Sequence, residues 1–245
     1  VIMMKARIGM AIFAAVVLGL TLGVGAVQAE RYDHEKQVGA AVNWGNGKAY
    51  FFKGGQYLRY TVRPDLDDEV LGDRPDPGYP KPINQETWPG LPWKDVDAVV
   101  NWGGGIACFF KGGEFIRYNM KLDKAEPDTP MPINEYTWPG LPWTDGIDAA
   151  VNLGKGKVYF FKGGEYLRYD IEENKVDMGY PKPINDATWP GMIWTDGIDD
   201  VINWGNGKLY FFRGDQYIRY DIADDRADGG YPKKINSQTW PGLVW

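Results

Sequence analysis

Histidine, cysteine and serine are nearly missing from this 245-residue chain: each occurs once, as His34, Cys108 and Ser237. Ser-His-Asp triads and metal clusters of histidine or cysteine therefore have almost no material. No His-Glu-x-x-His occurs, so metalloprotease chemistry has no sequence support. One cysteine excludes an intrachain disulfide, which leaves stability to packing. Cationic excess is missing as well: 27 Lys and Arg stand against 33 Asp and Glu, and a net charge of −6 gives nothing to attract nucleic acid.

What the chain does hold is aromatic and turn-forming residues. It has 11 Trp, 15 Tyr, 10 Phe, 32 Gly and 17 Pro, a mixture suited to short, turn-bounded strands rather than long helices. An all-β fold is expected, and 44% hydrophobic residues exclude disorder.

The N-terminal stretch stands apart. Lys5 and Arg7 precede an apolar run from Ile8 to Val27, and Val27-Gln28-Ala29 offers small residues at a cleavage point before Glu30. Residues 1–29 read as a secretory signal peptide, with an uncleaved membrane anchor as the alternative, and residues 30–36 as a short leader. Cleavage would leave 25 basic and 33 acidic side chains, net −8, in a secreted or periplasmic protein without membrane contact.

Self-comparison shows four copies of one unit. Asn43, Asn101, Asn152 and Asn203 each open Asn-Trp/Leu-Gly-x-Gly, at spacings of 58, 51 and 51 residues. A Tyr/Cys-Phe-Phe-Lys/Arg-Gly core follows, then Arg-Tyr ending at Tyr60, Tyr118, Tyr169 and Tyr220. Each unit closes on Ile-Asn-x-x-Thr-Trp-Pro-Gly-x-x-Trp, as in Ile83 to Trp93. The unit predicts strands at Ala40–Asn43, Lys48–Lys53 and 56–60, a polar hairpin such as 170–177, and one helical turn between Asn84 and Thr87. A single unit is too small to bury its aromatic face. Both terminal copies are full and aromatic, whereas an open solenoid needs polar caps, so the units are expected to close a ring. The expected fold is a four-bladed β-propeller with blades at about 37–93, 94–143, 144–194 and 195–245, its Ala-Ala-Val-Asn strands innermost.

The stretches Ile147-Asp148-Ala149-Ala150-Val151, Lys157-Val158-Tyr159-Phe160-Phe161-Lys162-Gly163 and Glu165-Tyr166-Leu167-Arg168-Tyr169-Asp170 resemble the hemopexin repeat, four times over residues 37–245. The resemblance implies a four-bladed disc with a cation, Ca²⁺ or Na⁺, and often chloride in the central tunnel. In hemopexin-like domains main-chain carbonyls at the Asp-Ala start hold the cation; those positions here are Gly39, Asp97, Asp148 and Asp199. Three departures stand out: Gly39-Ala40-Ala41 lacks the acid, Asp199-Asp200-Val201 carries a second one, and the family's disulfide between first and last blades is missing.

Function is expected from binding. Haem capture in the family uses histidines between two propellers, so one propeller with only His34 implies no haem. The family's single propellers include plant albumins that bind polyamines and fungal lectins. That favours a non-enzymatic secreted protein binding a small ligand, a carbohydrate or a polyamine, with exposed aromatics at the Trp-Pro-Gly edges as sugar platforms. A scaffold presenting a face or rim to a protein partner is the alternative, and a hydrolase using paired carboxylates a third reading. The repeated Arg59, Arg117, Arg168 and Arg219 are expected to hold the blades through a carboxylate or a Trp face. Cys108 is expected to be a buried small hydrophobe. Sites where blades differ, Asp200 and the acidic first-blade insertion around Asp65–Asp76, carry more functional information.

Overall fold

A computed structural model describes residues 35–63 and 74–243. Residues 1–29, read above as a signal peptide, His34, most of the first-blade insertion and Trp245 lie outside these residues. The repeats lie within the compact unit Arg31–Trp245. Among the described residues every regular element is a strand, and no helix is long and apolar enough to cross a membrane.

The repeat dictates four antiparallel sheets. The first contains β1 (Ala40–Asn43), β2 (Lys48–Lys53), β3 (Gln56–Thr61) and β4 (Lys81–Pro82). The second runs from β5 (Ala98–Gly103) through β6 (Ile106–Lys111) and β7 (Glu114–Asn119) to two short outer strands, β8 (Lys124–Ala125) and β9 (Met131–Pro132), both paired with β7. The third repeats this with β10 (Ala149–Gly154), β11 (Lys157–Lys162), β12 (Glu165–Asp170), β13 (Lys175–Val176) and β14 (Lys182–Pro183). The fourth comprises β15 (Asp200–Asn203), β16 (Lys208–Arg213), β17 (Gln216–Asp221), β18 (Arg226–Ala227) and β19 (Lys233–Lys234). The innermost strands β1, β5, β10 and β15 neighbour one another in a closed cycle, β15 meeting β1, which makes the fold a four-bladed propeller.

The Phe-Phe pair in each second strand explains closure. Successive residues of a strand face opposite sides, so one Phe serves each neighbouring blade. Phe52 meets Phe109, Phe110 meets Phe160, Phe161 meets Phe211 and Phe212 meets Phe51, all edge to face at 5.7–5.9 Å between ring centres. The fourth contact crosses the seam between last and first blades. Each pair is fully or almost fully buried, and each such ring contributes about 2 kcal/mol from burial.

Between each pair of blades sits the Trp of Trp-Pro-Gly. Trp88, Trp138, Trp189 and Trp240 are buried, with indole N–H groups that meet no conventional acceptor and lie among Phe and Tyr rings. This corrects the expectation only for the Trp rings themselves, which cannot serve as platforms to a sugar: a fourfold junction needs its largest ring inside. The expected helical turn delivers the ring. The Trp88 N–H donates to the Asn84 carbonyl at 2.8 Å, while Asn84 Oδ1 accepts from the N–H groups of Glu86 and Thr87.

Candidate functional site at the propeller axis

Each inner strand carries an Asn as its fourth residue, and the four asparagines form a ring about the axis. Asn43 Nδ2 donates to the Asn203 carbonyl at 3.1 Å and to the Trp204 carbonyl at 2.9 Å. Asn203 donates to the Asn152 carbonyl at 3.1 Å, Asn152 to that of Asn101 at 2.9 Å, and Asn101 to that of Asn43 at 3.2 Å. Each Oδ1 meanwhile accepts from the N–H two residues on, as Gly45 donates to Asn43 at 2.9 Å. One short side chain must both donate and accept, which selects Asn. The sequence marked these residues as the opening of every unit; the role across blades depends on neighbours that only the closed ring supplies.

The ring borders an axial cavity of about 350 Å³, lined in each blade by the Asn, the two residues before it, such as Ala41 and Val42, and the glycine two beyond it. Gly39, Asp97, Asp148 and Asp199 lie just before the inner strands, away from the asparagine end, and are not among the lining residues. Their main chains are equivalent: the N–H of each donates to the carbonyl of Phe52, Phe110, Phe161 or Phe212 at 2.8–3.0 Å.

The three acidic side chains at these positions are engaged within their own blades. Asp97, Asp148 and Asp199 accept from the N–H of Gly112, Gly163 and Gly214 at 2.6–2.8 Å, and Asp97 also meets Lys111. Any axial ion they serve would therefore meet main-chain oxygen. At Gly39 an added Cβ would stand 2.8 Å from the Phe52 carbonyl oxygen, so this strand would have to shift to take a side chain.

Asp200 behaves differently. It takes the register position of Ala40, Ala98 and Ala149, opposite Phe212, and it is fully buried. Neither carboxyl oxygen has a hydrogen-bond partner. Burial pushes the carboxyl well above the ordinary range; the Val201 N–H, Lys36 and the Ala41 N–H oppose this, and Asp199 adds to it.

The rim is occupied by structural pairs. Arg59, Arg117, Arg168 and Arg219 bond Asp76, Glu126, Asp177 and Asp228 through Nε. The expected carboxylate partner is present, while the aromatic face comes from tyrosine: Arg59, Arg168 and Arg219 lie 5.0–5.4 Å from the rings of Tyr79, Tyr180 and Tyr231. Blade two differs, with Thr129 in place of the tyrosine and buried Cys108 in place of Tyr50. It also exposes Tyr136 to 95%, at a position held by Glu86, Ala187 and Gln238 elsewhere.

Comparisons with known proteins agree with this geometry. Matrix metalloproteinase-18 of Xenopus laevis is 33% identical over 159 residues, covering 64% of this chain and 32% of the relative. Neutrophil collagenase of Homo sapiens is 34% identical over 171 residues, covering 68% and 32%. The chain thus spans about a third of the length of these relatives. Among solved structures, a 2S albumin seed protein from Dolichos superposes with a TM-score of 0.71 at 24% identity, covering 84% of this chain and 97% of that one. A plant lectin with two metal binding sites from Cicer arietinum gives 0.70 at 24% identity, covering 84% and 96%. The hemopexin family model matches residues 38–92, 96–142, 147–192 and 198–243, one match for each blade, and the chain belongs to the hemopexin family.

Proposed function

We propose that this chain is an extracellular, non-enzymatic binding protein that recognises carbohydrate on the rim of blade two and carries a structural cation on its axis. The observation that carries the reading is Tyr136, a 95% exposed ring at a turn where the other blades place Glu, Ala or Gln. An exposed aromatic face stacks on the apolar face of a sugar ring, and a rigid disc holds it without ordering cost. The lectin neighbour supports the class. Secretion to the exterior or periplasm follows from residues 1–29 read as a signal peptide.

Ca²⁺ or Na⁺, with chloride as a companion anion, fits the axis. Oxygen donors suit hard cations, and the main-chain positions at Gly39, Asp97, Asp148 and Asp199 repeat around the ring. A buried carboxyl without a partner beside the axis is the kind of group a cation satisfies. Bound there, the ion would supply charge neutralisation and lock the four blades together.

A glycan array tests the carbohydrate reading, with spermine titrated in parallel as the polyamine alternative. Tyr136→Ala is expected to abolish the array signal and leave the melting temperature unchanged. Signal retained in that variant, or binding of spermine alone, overturns the rim assignment. A protein partner is the second reading, favoured by Met178 and Leu122, which are also exposed.

A further inference from the structure

Four inner strands offer the same position to the inside of each blade junction, and three fill it with alanine: Ala40, Ala98 and Ala149, each fully buried. The fourth fills it with Asp200, in the seam where the last blade meets the first. The surrounding seam is apolar, with Val38, Ala41, Ile202 and Phe212 in its core. A carboxyl placed there has lost its hydration and gained no well-formed hydrogen bond in return, only the nearby N–H groups of Val201 and Ala41. The neighbouring acids show the contrast, because Asp97, Asp148 and Asp199 each accept from a glycine N–H.

What faces Asp200 is known from each side. Its own strand presents the Val201 N–H and Asp199, the facing strand β1 presents the Ala41 N–H, and Lys36 approaches from the segment before β1. Both N–H groups favour the ionised carboxyl, but neither meets an oxygen in good hydrogen-bond geometry. Ala41 and Val201, whose N–H groups lie within reach of the carboxyl, both line the axial cavity.

We propose that the Asp200 side chain is a direct ligand of the axial cation, supplying the one anionic oxygen donor of an otherwise main-chain site and biasing it toward divalent Ca²⁺. This rests on the axial-cation reading above and deepens it. Among the described residues no three His, Cys, Asp or Glu side chains converge, so the remaining donors are main-chain oxygens and water. Such a set is hard, and a carboxylate within it raises the preference for doubly over singly charged ions. An anion on one wall also makes the site asymmetric, drawing the ion toward the seam and tying the closing blades together.

The test uses the full chain as wild type, Asp200→Ala and Asp200→Asn, melted in EDTA, in Ca²⁺ and in Na⁺ at matched ionic strength, with Ca²⁺ affinity measured by calorimetric titration. Alanine is what the other three blades carry, so the variant keeps the fold. In EDTA, Asp200→Ala is expected to melt above wild type, because the uncompensated carboxyl is gone. Its Ca²⁺ affinity is expected to fall at least tenfold, equivalent to about 1.4 kcal/mol, with most of the Ca²⁺-induced rise in melting temperature lost. Asp200→Asn keeps the volume without the charge and is expected to follow alanine in Ca²⁺. Undiminished Ca²⁺ affinity in both variants overturns the role of Asp200 while leaving an axial cation on main-chain oxygens. A wild type indifferent to Ca²⁺, Na⁺ and EDTA removes the axial cation itself, and this proposal with it.

Discussion

The Tyr60 hydroxyl donates to the Pro241 carbonyl at 2.7 Å, joining the first blade to the last. The other three junctions make this link with main chain: Ala125, Val176 and Ala227 donate their N–H to the carbonyls of Pro89, Pro139 and Pro190. Pro75 pairs with Tyr60 where Ala125 pairs with Tyr118, and proline has no N–H to give. The hydroxyl replaces it. Elsewhere the equivalent hydroxyls remain in their own blades, Tyr118 with Asp123 and Tyr220 with Asp225. Tyr60→Phe is therefore expected to cost about 1–1.5 kcal/mol in urea unfolding, because it strands a carbonyl at the seam. Tyr118→Phe releases an exposed carboxylate to water and is expected to cost less than about 0.5 kcal/mol. Equal costs would mean that the seam bond does not help close the ring.

The asparagine ring makes a second ordering of variants. Asn43 bridges two carbonyls across the seam, whereas Asn101 reaches the Asn43 carbonyl at 3.2 Å. Each net hydrogen bond contributes about 1 kcal/mol. Asn43→Ala is expected to lower stability by about 2–3 kcal/mol and Asn101→Ala by about 1–2 kcal/mol. Denaturant midpoints with unchanged slopes check both.

Glycine gives a matched pair. Gly242 and Gly47 both have positive φ, at 83° and 79°. An added Cβ at Gly47 meets nothing within 4 Å, whereas at Gly242 it would lie 2.4 Å from Pro75 Cγ. Gly47→Ala is expected to cost about 1–2 kcal/mol from backbone strain alone. Gly242→Ala adds the collision, about 1–3 kcal/mol more. If the two variants melt together, the close approach of last and first blades is wrong.

The propeller was legible because repetition carries it. Fourfold Tyr-Phe-Phe and Trp-Pro-Gly segments state both the strand and what it packs against, since each blade meets a copy of itself. Departures from the repeat were visible as letters but not as environments. Asp200 showed as an acid in an alanine column, yet its isolation follows from the apolar seam around it. Tyr136 stands at a variable position of the repeat, and only the turn geometry shows its exposure. The Trp-Pro-Gly indoles looked available because proline and glycine suggest an edge, and only the junction geometry shows their burial. Asn43 and its counterparts gave no sign of bonding across blades, because their partners lie at least 51 residues away in sequence.

Acid should destabilise the fold through the rim carboxylates. Burial alone would raise Asp177, but hydrogen bonds from Lys157 and Arg168 outweigh it and hold the carboxyl below its ordinary value. Asp76 is held down in the same way, by Thr61, Lys48 and Arg59 against burial. A carboxylate lowered on folding contributes its stability above the unfolded value, near 3.9, and loses it as pH falls through the folded value. Urea midpoints are thus expected to drop steadily below about pH 4. Asp177→Asn should cost about 1 kcal/mol at pH 7, a modest figure for a partly exposed pair, and should flatten the acid slope. A variant with the wild-type slope would show that these pairs do not drive acid unfolding.

Cys108 offers a probe of how tightly blade two closes. It replaces the Tyr50 type of residue in a core strand, it is 1% exposed, and burial, opposed by Arg117, pushes its thiol up to about 12. The thiolate is the reactive form, so at pH 8 the folded protein holds almost none, whereas an unfolded cysteine near 8.5 is about one quarter ionised. Ellman's reagent is expected to leave the native chain unmodified over hours at pH 8 and to react fully once urea unfolds it. Between those limits the labelling rate should follow the unfolding equilibrium, and seam variants such as Tyr60→Phe should accelerate it in proportion to their loss of stability. Rapid labelling of the native wild type would mean that blade two opens independently of the ring, contrary to the closed packing of Phe110 on Phe160 and Trp138.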